Sequence, residues 1–185
     1  MLRHTVSLLV TVAISITASA CATGRSNSVG ARQLRAEYTA REAELQARVP
    51  SAVETLLAAS GRVTKQASDF DNDLIRVEFI EAQIRAPVRS VVRIGGEIFM
   101  TRKLLSQPDE NLSSPYFMAG WNRGLGPDWE RELDELANQE ARTLALALVA
   151  GSKPSTTVPP ETSVLKLCER VLGHEVLEAN MKLDR

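Results

Sequence analysis

Acid–base and nucleophilic chemistry need particular side chains at particular spacings, and this chain holds few of them. It has two histidines, His4 and His174, and two cysteines, Cys21 and Cys168. A histidine beside a cysteine could activate a thiolate nucleophile. Cys168 and His174, however, are six positions apart on one expected helix, about 600° of rotation at about 100° per residue, so they leave the axis on different faces. Cys168 reads as a small core residue and His174 as a surface or helix-end residue. There is no Gly-x-Ser-x-Gly elbow to present a serine. Asp69, Asp71 and Asp73 alternate like the opening of a calcium loop, but such a loop needs glycine at its sixth position and glutamate at its twelfth. Leu74 and Ile80 stand there, and the acids read as a helix start. No Glu-x-x-His motif supports a helical di-iron site. The expectation is no catalytic site, no metal and no cofactor. Among 23 acids, spacing distinguishes no carboxylate pair.

Two groups could bind rather than react. Tyr116, Phe117, Trp121 and Trp129 are four of the eight aromatics, set among glycines and prolines with Arg123 adjacent. Amphipathic aromatics on such a segment suit a ligand pocket, a sugar-stacking platform or a partner hot spot. The competing reading is a segment that folds over a bundle end and plugs its core. Arg85, Arg89 and Arg93 repeat at i,i+4. That row suits anionic headgroups, cell-wall polymer or an acidic partner, or else is a solvated helix face. Like charges at this spacing repel by about 0.2–0.5 kcal/mol, which the flanking Glu81 and Glu97 offset.

The elements that carry these groups are expected to be helices. Hydrophobic residues make up 44% of the 185-residue chain but aromatics only 4%, a balance that disfavours strands. Leu34, Tyr38, Leu45 and Val49 space a helix over about 31–49. Pro50 should end it, and Ser51-x-x-Glu54 reads as a capping box opening a short helix that Gly61 stops. A long seam over about 69–105 includes Leu74, Val77, Ile80, Ile84, Val88, Val91 and Ile98, with a kink expected at Pro87. The alternative is an α+β fold with a hairpin around Gly95-Gly96, because VVRI-GG-EIFM also fits two strands and a tight turn. Residues 106–127 read as a loop and 128–150 as a helix capped by Asp128, whose LALALVA end should be deeply buried. A linker over 151–162 precedes a last helix over about 163–180. The predicted fold is an all-α, four- to five-helix bundle.

The N-terminus carries an address. In MLRHTVSLLVTVAISITASAC, Arg3 and His4 precede an apolar core from Thr5 to Thr17, and Ala18, Ser19 and Ala20 are small. This is the pattern of a cleaved export signal, with an apolar stretch short of the ~20 residues a spanning helix needs. Ala-Ser-Ala before Cys21 resembles the lipobox of bacterial lipoproteins, although that family most often has leucine where Ala18 stands. The resemblance covers residues 1–21 only. It implies that Cys21 becomes the N-terminus and carries acyl chains such as palmitate. Ala22, being other than aspartate, favours the outer membrane, facing the periplasm. The alternative is cleavage at an ordinary A-x-A site and a secreted or periplasmic soluble form, in which Cys21 and Cys168 could pair.

The resulting organisation is a signal peptide over 1–20, lipid attachment and a flexible tether over 21–30, and a single helical domain over 31–185. Losing Arg3 leaves 21 basic residues against 23 acids. That balance argues against nucleic acid as a partner, since such binding needs concentrated positive charge. One thiol and one imidazole then remain, which excludes a zinc cluster. The expected function is a lipid-anchored envelope protein whose helical domain binds a protein partner or supports an assembly. The alternative is a periplasmic small-ligand-binding or sensor bundle, and a third reading is a carboxylate-based hydrolase.

Overall fold

The structure, a computed structural model, describes residues 26–153 and 158–181. The export signal and Cys21 lie outside the described residues. All regular elements within them are helical: α1 (Ser26–Ala67), α2 (Asp73–Leu105), α3 (Asp109–Leu112), α4 (Pro115–Gly124), α5 (Pro127–Gly151), α6 (Pro160–Leu172) and α7 (His174–Asn180).

The longest helix, α1, has 42 residues, about 63 Å at 1.5 Å per residue. It starts at Ser26, inside the segment expected as tether, and runs unbroken through Pro50 and Gly61. The expected stop at Pro50 is therefore wrong. Leu45, Val49, Val53, Leu56, Val63 and Ala67 form one buried seam across the proline. Burying that stripe outweighs the missing Pro50 N–H, a local penalty of ~3 kcal/mol.

Asn72 opens α2, its side chain accepting from the backbone N–H groups of Leu74 and Ile75. The helix thus begins later than expected, and Asp69 and Asp71 precede it. It passes through Pro87 and through Gly95-Gly96, which overturns the hairpin alternative. Val88, Val91, Val92, Ile94 and Ile98 are buried around the two glycines, a helical rather than alternating pattern.

The four main helices alternate in direction. Arg93 pairs with Glu130, Arg89 with Asp134 at 3.0 Å, and Arg142 with Glu81 at 2.9 Å. The α5 numbers rise as the α2 numbers fall, so these helices are antiparallel. The Arg170–Glu140 pair joins α6 to α5. The main core draws on α1, α2, α5, α6 and α7, so an up-down bundle is the frame. In α5 the LALALVA end is amphipathic rather than buried all round, because Leu146 is exposed while Leu144, Ala145 and Leu148 face the core.

The last helix is two. Gly173, at φ +85°, separates α6 from α7, a backbone conformation that β-carbon sterics make strained for other residues. The expected 106–127 loop also holds two helices. Ser114 caps α4 by accepting from the Phe117 N–H, and Pro115 occupies the first turn. A small second core of Ala31, Leu104 and Leu112, flanked by Tyr38, Phe117, Met118 and Trp121, seats α3 and α4 at the end where α1 begins.

Candidate functional site

Arg35 fastens that end. Its guanidinium donates to the Leu105 carbonyl at 2.5 Å, to the Gln107 carbonyl at 2.6 Å and to the Asp109 carboxylate at 2.7 Å. One side chain of α1 thereby fixes the end of α2 and the start of α3. Charge-assisted bonds to three acceptors make this a directional clamp, and sequence reading missed it because Arg35 has no neighbour in the chain that marks it.

The aromatic group divides. Tyr116 points into solvent at 92% exposure. Phe117 stacks on Trp121 with ring centroids 6.1 Å apart. Arg123, in the last turn of α4, is exposed. Trp121 and Trp129 both line a cavity of about 290 Å³, with Tyr38 and Arg41 of α1, Glu97, Met100 and Thr101 of α2, and Leu125 and Glu130. The segment covers a bundle end and also walls this concavity. Burial, and next the nearby Glu37 carboxylate, raise the Tyr38 phenol above its ordinary pKa. In the cavity wall Arg41 bonds Glu97 at 2.7 Å and Glu44 at 3.2 Å, and the Glu97 bond most of all holds its guanidinium charged.

The arginine row lies against α5. Arg85 pairs with Glu81 at 2.9 Å, Arg89 with Asp134 and Arg93 with Glu130. All three side chains stay about half exposed. Arg89 and Arg93 thereby form a zipper between α2 and α5, while Arg85 pairs within α2.

A second concavity was not anticipated as one. Between α2, α5 and α6 runs a groove of about 470 Å³, lined by Val92, Gly95, Gly96, Phe99, Trp129, Leu133, Leu136 and Val171, with Glu132, Glu140 and Arg170 at its polar edge. Its floor is the glycine pair. A β-carbon at Gly95 would lie 2.5 Å from the Val171 carbonyl oxygen, and one at Gly96 2.7 Å from a Leu133 methyl. Phe99, 61% exposed, and Leu136, 40% exposed, form its lips. Phe70, Leu74 and Ile75 make another exposed apolar group at the α1–α2 turn, where Phe70 rests on Phe79.

The residues considered for nucleophilic chemistry are apart. Cys168 is in the core, and burial pushes its thiol up to about 12, away from a reactive thiolate. His174 is exposed between Glu169 at 3.0 Å and Glu178 at 3.1 Å. Asp73 and Glu81 are lowered, chiefly by hydrogen bonds from Lys153 and Arg142 respectively. A general acid working near neutral pH needs the opposite shift. Among the described residues, no group of three His, Cys, Asp or Glu side chains could hold a metal ion, and no helix is long and apolar enough to cross a membrane.

Comparison with protein-family models, with curated proteins and with solved structures returns no match.

Proposed function

We propose that this chain is a lipid-anchored envelope module, held through Cys21 at the outer membrane on its periplasmic side, that binds a partner protein in the groove between α2, α5 and α6. The observation that carries this reading is the groove itself. It is concave and largely apolar, and it leaves Phe99 and Leu136 exposed at its lips. A large apolar side chain held in water at the edge of a groove is a feature of protein-binding surfaces, and an amphipathic helix is the common occupant of such a shape. Glu140 and Arg170 neutralise one another, which leaves Glu132 to set the sign of the edge. The partner segment is accordingly apolar on one face and basic beside it. The signal-like residues 1–21, with the lipobox resemblance ending at Cys21, support the anchor.

Two variants test this. Cys21→Ser is expected to move the chain from the membrane fraction to the soluble fraction. The double variant Phe99→Asp with Leu136→Asp is expected to keep its melting temperature and lose a discrete protein that co-purifies from detergent-solubilised membranes. Retention of the same protein by the double variant would exclude the groove.

A second reading, small-ligand binding, has its own observation in the cavity lined by Tyr38, Trp121 and Trp129.

A further inference from the structure

The composition of that aromatic cavity selects among ligands. Three aromatic side chains, Tyr38, Trp121 and Trp129, line it together with Met100. Aromatic faces carry negative quadrupole potential and attract cations, tryptophan most strongly. The charged groups in the wall are Arg41, Glu97 and Glu130, one cation against two carboxylates. Glu97 is paired with Arg41 and Glu130 with Arg93, and the one negative charge in excess among these groups is Glu44, bonded to Arg41 beside the cavity. An anion meets repulsion from both the rings and this excess. A cation is favoured by both.

Size narrows the class further. About 290 Å³ sits at the lower edge of the ~300–1,000 Å³ that small-molecule pockets occupy. α4 and its C-cap residue contribute Trp121 and Leu125 to the wall, and no residue of α4 is fully buried, so this side of the cavity lies outside the main core. The geometry points to a binding site for a compact organic cation, a methylated ammonium group, in the cavity between α1, α2, α4 and α5. This assignment rests on the ligand-binding reading of the cavity, which shares only Trp129 with the partner groove.

The chain supplies its own reporter, because Trp121 and Trp129 are its two tryptophans and both line the site. Purified chain is titrated with choline chloride, with 3,3-dimethylbutan-1-ol as the uncharged carbon isostere, and with N-acetylglucosamine. Tryptophan emission is followed at constant ionic strength. Choline is expected to give a saturable change, with the isostere about tenfold weaker or more and the sugar giving none. Glu130→Gln removes one of the two carboxylates of the wall and is expected to weaken choline severalfold, with far-UV circular dichroism confirming that the variant folds after losing its Arg93 pair. Trp121→Leu is expected to abolish the response, and far-UV circular dichroism confirms that this variant folds. Equal binding of choline and its isostere would overturn the cation assignment while keeping a ligand site. Binding of the sugar alone would overturn it in favour of a carbohydrate. Absence of any saturable change would overturn both the class and the ligand-binding reading of the cavity.

Discussion

Gly95 carries two consequences of having no side chain. It lets α6 approach so closely that the Val171 carbonyl would stand 2.5 Å from an added β-carbon, and with Gly96 it sets the depth of the groove above. The obstructing atom is backbone, so a rotamer change cannot relieve the clash. Gly95→Ala is therefore expected to destabilise the chain by about 1–3 kcal/mol, as overpacking does. At this chain length that is a fall in Tm of roughly 2–4 °C per kcal/mol, measurable by thermal denaturation. An unchanged or raised Tm would mean that α6 does not press on α2 at this point. The same dipeptide shows how one local signal supports two folds. Two adjacent glycines between apolar runs fit a hairpin turn as well as a helix crossing, and only the seam continuing through Ile98 separates them.

At the scale of the element, Glu81 is the tie between α2 and α5. It accepts from Arg142 and from Arg85, both at 2.9 Å, with its side chain 16% exposed. These bonds, the Arg142 one foremost, hold its carboxyl below the ordinary value. A carboxyl whose folded pKa is depressed contributes stability above its unfolded pKa, and that contribution is lost as pH falls through the folded value. The window thus opens at about pH 4.3, the ordinary glutamate value, and extends downward. Glu81→Gln is expected to lower stability at pH 7 by of order 1 kcal/mol and to differ progressively less from the native chain below about pH 4. Melting curves at pH 7, 5, 4 and 3 check this, and a difference that persists at pH 3 would assign the effect to packing. The bodies of α1, α2 and α5 were legible in the sequence because long stripes at 3–4 residue spacing have one economical interpretation. Their ends were less so. Pro50 and Gly61 carry strong local stop signals that tertiary burial overrides, and Ser114-Pro115 carries a start signal hidden among breakers. The zipper was visible only as a row of like charges, since its acids on α5 are remote in sequence.

At the scale of the whole molecule, the candidate sites lie where helices meet, and for that reason the sequence showed fragments of them. The aromatic cluster was recognisable from composition. Its complement, Tyr38, Arg41 and Glu97, comes from two other helices. The groove needs three helices and left one local trace, the glycine pair. The groove sits on the α2–α5–α6 flank, and under the proposed anchoring at Cys21 its occupant would be a neighbour in the envelope. The most direct test places a photo-crosslinking residue at position 99, at the lip of the groove, and another at position 54, an exposed site on α1, in separate chains within intact cells. A discrete protein adduct from position 99, absent from position 54 and lost when Leu136→Asp is added, is the predicted result. Equal adducts from both positions, or none from position 99, would contradict the assignment of the groove as a partner site.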